Sequence, residues 1–180
     1  MIESEHTARE TLPLGHIDRY KAVKALRNEY RCHKVEKFWN KKRGKSNKKI
    51  HKMSASEILQ FCNKICDEFG YRRLKRIVIR SKEVYERENV GGFYRYNEIH
   101  VGYPSFTVIL HELAHHFQKN VRFDGSHGKK FTIELSILNA VAHKIITGKD
   151  IKSDWIEKAD NIINELFEND AVVKNWELSF

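Results

Sequence analysis

The sequence predicts an α+β fold, because stretches with helical spacing flank a short region that has the character of β-strands. A helix signature at residues 54–70 precedes two strand-like runs, at 76–80 and 91–101. Three further helical patterns follow, at about 105–119, 127–147 and 153–168. Helices segregated around a small sheet are typical of α+β domains. A chain of 180 residues is long enough for one such domain with its own core.

The N-terminal third, residues 1–53, is predicted to form a basic helical extension followed by a lysine-rich linker. Apolar side chains recur at spacings of three and four from Tyr20 to Tyr30, which indicates a helix. The stretch KKRGKSNKKIHK, residues 41–52, has almost no apolar side chains and is predicted to be a loop. Residues 54–180 are then expected to form the main domain.

The central elements have clear local signals. In SASE, Ser54 and Glu57 form the pattern of a capping box, which predicts the first residues of a helix that Gly70 terminates. RIVIR is a β-branched run, and GGFYRYNEIHV predicts a hairpin that turns near Asn97-Glu98. The two glycines before that hairpin permit a bulge or the close approach of another backbone.

The positive charge is concentrated in the N-terminal third. Residues 1–53 hold 15 Lys+Arg against 6 Asp+Glu, whereas the rest of the chain holds 18 of each. Such asymmetry favours a polyanionic partner, and Phe38-Trp39 could stack on the bases of a single strand. A solvated linker without a partner is the alternative. The predicted nucleic-acid contacts are Lys41, Lys42, Arg43, Lys45, Lys48, Lys49 and Lys52.

Several features favour a cytoplasmic protein that does not span a membrane. No apolar run approaches the roughly 20 residues that a membrane-spanning helix needs, and MIESEHTARE lacks the character of a secretory signal. Three cysteines, an odd number, argue for a reducing compartment and against a disulfide framework. Cys62 and Cys66 are four residues apart on an apolar helix face, where core packing is expected.

The motif HELAHH is the strongest indication of chemistry. His111 and His115 are four residues apart, so on a helix their imidazoles lie one turn apart on the same face and can reach one zinc ion. Glu112 lies about 100° around the helix, beside the metal, where it can accept a proton from zinc-bound water. His116 points away from His115 and is interpreted as a solvated residue or as a partner of a ligand.

A catalytic zinc needs three protein ligands and one open position. His127, at the predicted start of the next helix, is the preferred third ligand, and Phe131 would anchor that helix in the core. Glu134, on the same helix, is the alternative third ligand. It could also accept a hydrogen bond from a ligand imidazole.

The stretch LHELAHHF followed by HGKKF resembles the SprT-like metalloproteases, which include the Spartan-type proteases that degrade proteins crosslinked to DNA. Their pattern is HExxH, a variable loop, and a His-Gly pair followed by Phe. The sequence is also similar to small single-domain bacterial and phage metallohydrolases with the arrangement HELAHH…HGxxF. The resemblance covers roughly residues 70–150. One difference is that many SprT-like proteins end in a cysteine-rich zinc ribbon, whereas this sequence has no cysteine after Cys66.

The resemblance implies a zincin-like domain of a minimal gluzincin type, with a small β-sheet, an HExxH active-site helix and flanking helices. It implies His111, His115 and His127 as Zn²⁺ ligands, Glu112 as the catalytic base, and a strand around Tyr94 to Val101 that flanks the cleft. The expected activity is peptide-bond hydrolysis by Glu-assisted attack of zinc-bound water, on a protein or peptide substrate that could be associated with nucleic acid.

Two other functions remain open at this point. The first is a zinc hydrolase with a small or non-protein substrate, and the second is a nucleic-acid-binding module with a structural metal. For hydrolysis, the sequence offers several candidate donors to stabilise the oxyanion without ranking them. These candidates are Tyr94, Tyr96, His100 and Tyr103.

Overall fold

The computed structural model describes residues 16–44, 50–81, 83, 91–119 and 127–168. The helices are α1 (His16–Arg43), α2 (Ala55–Glu68), α3 (Phe106–Lys119), α4 (Lys129–Thr147) and α5 (Ser153–Glu168). The strands are β1 (Arg76–Ile79), β2 (Gly92–Arg95) and β3 (Glu98–Val101). The α+β class predicted from the sequence is confirmed. None of the helices in the described ranges is long and apolar enough to cross a membrane.

The start of α2 shows how a local signal determines a boundary. The backbone N–H of Glu57 donates to Oγ of Ser54 over 3.3 Å, and the Glu57 carboxylate accepts the Ser54 backbone N–H over 2.7 Å. This reciprocal pair is the predicted capping box, and it satisfies backbone donors that the first helical turn leaves unpaired. Gly70, with φ of +64°, follows the helix in the left-handed conformation that glycine adopts at low cost.

The sheet has the strand order β1-β3-β2, with β1 parallel and β2 antiparallel to β3. Arg95 pairs with Glu98, so the hairpin turns at Tyr96-Asn97, one residue earlier than predicted. Both turn residues have positive φ, 52° and 64°, as a two-residue hairpin turn that follows the strand twist requires. The register is consistent with burial, because Ile99 and Val101 face the core.

The close approach predicted for the glycine pair occurs at Gly92. A Cβ on Gly92 would lie 2.6 Å from Cγ1 of Val108 in α3 and 2.9 Å from the carbonyl oxygen of His100 in β3. Among the described residues, a Cβ on Gly91 would meet Cγ2 of Val108 alone, at 3.3 Å. Gly92 therefore allows α3 to lie directly against the sheet, which brings the HELAHH helix next to β2.

Two apolar clusters stabilise the fold. The larger one joins α2, the sheet, α3 and α4, with α3 at its centre. The smaller one joins Val35 and Trp39 of α1 to Ala159, Ile163 and Phe167 of α5. The helix expected to belong to an N-terminal extension therefore shares its core with the C-terminal helix.

Helix α1 also continues farther than predicted. Lys41, Lys42 and Arg43 form its last turn rather than part of a loop. Arg43 is 4% exposed and donates hydrogen bonds to the side chains of Asn139 and Asn40. The contact with Asn139 of α4 gives the last turn a buried side, which explains why the helix does not end at the basic run. Tyr30, which the predicted stripe placed on the apolar face, is exposed.

Candidate metal centre

Three imidazoles converge at the start of α4. His111 and His115 project from α3, and His127 lies immediately before α4. Nε2 of His127 is 3.1 Å from Nε2 of His111 and 3.2 Å from Nε2 of His115. Ligand atoms of all three lie within 4.8 Å of one another. Among the described residues, no other group of His, Cys, Asp or Glu meets this criterion.

These distances fit a tetrahedral zinc site. Zinc–nitrogen bonds of about 2.0–2.1 Å place two ligand nitrogens of a tetrahedron roughly 3.3 Å apart, close to the separations between His127 and its two neighbours. Hydrogen bonding alone does not satisfy the arrangement, because a neutral imidazole has one N–H and His127 Nε2 faces two other ring nitrogens. A cation at the centre would be shared by three lone pairs that otherwise repel one another.

The aromatic ring of Phe131 packs against all three imidazoles of the cluster. Its centroid lies 5.0 Å from that of His111, 4.7 Å from that of His115 and 4.8 Å from that of His127. Phe131 is fully buried, as predicted, and it lies in the first turns of α4. Because one rigid ring touches all three imidazoles, α3 and α4 hold the cluster at a fixed separation.

The protonation state of His127 suits a metal ligand, which must be a neutral imidazole. Burial, assisted by the neighbouring His111, lowers the pKa of His127 to about 4. Its Nδ1 is buried and has no hydrogen-bond partner among the described residues. A buried ring with one unpaired nitrogen and the other directed at two imidazoles is costly, and a metal bound at Nε2 would offset that cost.

Glu36 of α1 contacts the cluster through His111. Its Oε1 lies 3.1 Å from Nδ1 of His111, and its Oε2 lies 3.4 Å from Nδ1 of His33. Burial by itself raises the pKa of Glu36, but hydrogen bonds from His111 and His33 outweigh it, so the pKa lies below the usual value for glutamate. Glu36 is therefore a carboxylate that holds one of the three imidazoles.

Glu112 is buried beside the cluster, next to β2. Burial raises its pKa to about 7, although nearby His111 and a hydrogen bond from the backbone N–H of Tyr94 act in the opposite direction. A carboxylate with a pKa near neutrality is suited to accept and return a proton. A divalent cation held by the imidazoles would lower this pKa, because positive charge favours the ionised form.

His116, the fourth histidine of the region, is neither solvated nor bonded to a ligand histidine, the two alternatives that the sequence suggested, and has a structural role instead. It is 1% exposed, and its Nδ1 lies 3.1 Å from the hydroxyl of Tyr94. Its Nε2 is hydrogen-bonded to the carbonyl of Arg72. These bonds attach α3 to β2 and to the segment before β1, so His116 fixes the orientation of the helix that carries the other two histidines.

The candidate oxyanion donors have other contacts. The Tyr94 hydroxyl donates to Oδ1 of Asn97 over 3.0 Å and also meets His116. His100 stacks on Phe93 and lies 3.2 Å from the Glu98 carboxylate, on the sheet face opposite Ile99. The two others, Tyr96 and Tyr103, are exposed.

Glu134, the alternative third ligand, is not part of the cluster. It accepts a hydrogen bond from the Tyr71 hydroxyl, and partial burial, only partly offset by this bond, raises its pKa. Tyr71 in turn packs on the ring of Phe117, with centroids 4.4 Å apart. The structure thus places His127, and not Glu134, with the two histidines of the motif.

The predicted nucleic-acid contacts are only partly exposed. Lys41 and Lys52 are exposed, and Lys42 lies over the ring of Trp155, 5.0 Å from its centroid. Arg43 is buried, so it does not belong to an exposed basic surface. Trp39 is 1% exposed and cannot stack on a base. The remaining predicted contacts, Lys45, Lys48 and Lys49, lie outside the described residues.

Sequence reasoning missed the role of Glu36. The signal was a charged residue in an apolar register, because Glu36 lies four residues after Cys32, three before Trp39 and next to Val35, all of which are buried. A carboxylate on the buried stripe of a helix is uncommon unless it has partners.

Comparisons with family models, with curated proteins and with solved structures gave no match.

Proposed function

We propose that the protein is a zinc-dependent metallopeptidase built on a zincin-like domain. The observation that carries this proposal is the convergence of three imidazole Nε2 atoms beside a buried glutamate, Glu112, which lies next to the edge of a sheet. A purely structural metal site needs no such base, and it usually has four protein ligands. A set of three histidines leaves a position for a reacting group.

Glu112 supplies the acid–base chemistry in this proposal. A bound zinc ion would act as a Lewis acid, which brings the pKa of a water molecule to about 7 and polarises a substrate carbonyl. Glu112 accepts the proton from the attacking water and later donates it to the leaving amine. The Tyr94 backbone N–H orients the Glu112 carboxylate for both steps.

A peptide substrate is favoured over a small molecule by the direction of the β2 backbone. The two-residue turn makes Arg95 and Glu98 a hydrogen-bonded pair, and alternation along the register points the backbone groups of Gly92 away from β3. Among the described residues, β2 has a strand on one side only. An extended peptide can pair with this edge by main-chain hydrogen bonds, which brings its carbonyl groups past Glu112.

The test is hydrolysis of an unfolded protein by the zinc-loaded full chain and by a Glu112→Gln variant. The variant is expected to bind zinc and to fold, but to lose activity by at least about 100-fold, because it lacks the base. Glu157→Gln, which changes an exposed glutamate of α5, is the matched control and should retain activity. If the zinc-loaded wild type cleaves no peptide bond, or if Glu112→Gln cleaves as fast as wild type, the proposal is wrong.

A further inference from the structure

A row of four side chains runs from the surface of α1 to the candidate metal centre. Nε2 of His33 lies 3.4 Å from Oε1 of Glu29, and Nδ1 of His33 lies 3.4 Å from Oε2 of Glu36. Oε1 of Glu36 then lies 3.1 Å from Nδ1 of His111. Spacings of four and three residues place Glu29, His33 and Glu36 on one face of α1, so this helix presents three of the four side chains and α3 presents the fourth, His111.

Burial of the Glu36 carboxylate destabilises the fold. Its side chain is 5% exposed, and a buried carboxylate loses several kcal/mol of hydration that hydrogen bonds only partly restore. Its neighbours on the same stripe, Val35 and Trp39, are apolar and fully buried. An apolar residue at position 36 would continue this stripe, so packing alone gives no reason for a carboxylate there.

The contact with His111 supplies that reason. A neutral imidazole carries its proton on one nitrogen only, and the hydrogen bond made by the other atom determines which tautomer is present. A carboxylate at Nδ1 accepts the proton on that atom and leaves the lone pair on Nε2. Nε2 is the atom of His111 that faces His127, 3.1 Å away.

We propose that Glu36 is a positioning residue of the metal centre, which holds His111 in the tautomer and ring orientation that directs its Nε2 lone pair at the metal. His33, anchored by Glu29, holds the second oxygen of Glu36 and so fixes the carboxylate. Helix α1 is therefore one wall of the metal centre and not an appendage to it. This inference rests on the proposed function, because it requires that His111 binds the metal.

The first experiment measures the zinc dissociation constant of the full chain by competition with a chromophoric chelator. Glu36→Met, which has a similar volume but no acceptor, is expected to weaken zinc binding by about 10- to 100-fold, the usual effect of losing a carboxylate that holds a ligand histidine. Glu36→Gln should lose less zinc affinity than Glu36→Met, because its amide oxygen still accepts a hydrogen bond from Nδ1–H of His111. Glu134→Gln, a control near the site but outside the cluster, should bind zinc as the wild type does.

Cobalt substitution separates positioning from a general effect on stability. The visible absorption of bound Co²⁺ reports ligand geometry, so we expect an altered spectrum in Glu36→Met and a spectrum close to that of wild type in Glu36→Gln. A loss of stability without a change in the site would leave the spectrum of the folded fraction unchanged. A Glu36→Met variant that is folded, binds zinc with wild-type affinity and has the wild-type cobalt spectrum would overturn the inference.

The second experiment needs no variant, so it decides the matter if Glu36→Met does not fold. Nitrogen-15 NMR of the zinc-free wild type, at a pH high enough that the His111 ring is neutral despite its raised pKa, should show the His111 proton on Nδ1 alone. A proton on Nε2 would overturn the inference. Failure of the proposed function is distinct, because a wild type that binds zinc but cleaves no peptide bond would refute the peptidase and leave the comparison of the Glu36 variants unaffected.

Discussion

Trp39 of α1 donates a hydrogen bond from its indole Nε1 to Oγ of Ser136 in α4, over 3.1 Å in the buried interior. The same helix brings Glu36 to His111, across 75 residues of sequence. The segment that carries the net positive charge of the chain is thus attached to the fold by specific, buried polar contacts. The same attachment places Glu36 against the histidine cluster that could hold a metal ion.

The first prediction concerns this attachment. Trp39→Phe removes the indole N–H and leaves the buried Ser136 hydroxyl without its donor, which should lower the free energy of unfolding by about 1–3 kcal/mol. Urea unfolding of the metal-free protein measures this change. Trp155→Phe, at a half-buried tryptophan of α5, is the control, and a loss at Trp39 no larger than at Trp155 would argue against the assigned role.

The second prediction distinguishes the two candidate third ligands. His127→Ala should weaken zinc binding by roughly 100-fold or more, since binding free energies of about 10–16 kcal/mol are shared among three or four ligands. Glu134→Gln should leave zinc affinity unchanged, because Glu134 contacts Tyr71 instead of the imidazoles. Isothermal titration with Zn²⁺ measures both constants, and the reverse ranking would mean that Glu134 is the ligand.

The third prediction tests the close packing of α3 on the sheet. Gly92→Ala should destabilise the protein by about 1–3 kcal/mol, the usual cost of overpacking, since its Cβ would lie 2.9 Å from the His100 carbonyl oxygen as well as against Val108. Gly91→Ala, whose Cβ meets one methyl group of Val108 within the described part of the chain, should cost less. Thermal melts of the two variants give the comparison, and equal melting temperatures would contradict this account.

The fourth prediction is a pH dependence at the start of α2. Hydrogen bonds from the Ser54 backbone N–H and hydroxyl lower the pKa of Glu57 in the folded protein. A carboxyl group with a lowered folded-state pKa stabilises the fold above its ordinary titration range, and this contribution is lost as the pH falls through the folded-state value. The melting temperature of the wild type should therefore be higher than that of Glu57→Gln at pH 7, and this difference should become smaller in acid.

Melting curves across this acid range measure that trend. Ser56→Ala, at an exposed position of the same helical turn, is the control. Its melting temperature should differ from that of the wild type by an amount that does not depend on pH. A Glu57→Gln difference that stays constant down to strongly acidic pH would indicate that the capping box does not stabilise the helix through its charge.

Much of the fold could be predicted because its signals are local. The capping box at Ser54, the β-branched run at Arg76–Ile79 and the glycine after Thr147 act within a few residues of the boundaries that they set. The hairpin turn differed by one residue, because Tyr96 adopts a positive φ that its residue type does not favour. The length of α1 was underestimated, since contacts of Arg43 with a distant helix extend it.

The sequence by itself determined the part of the candidate site that lies on one helix. A spacing of four residues puts His111 and His115 on one face, and Glu112 follows directly, whatever surrounds that helix. Tertiary structure alone decided that His127 and not Glu134 joins them, and that Glu36 of α1 holds His111. The physical reason is that helical periodicity specifies the direction of a side chain relative to its own axis, whereas the packing of α1 and α4 against α3 determines which side chains meet.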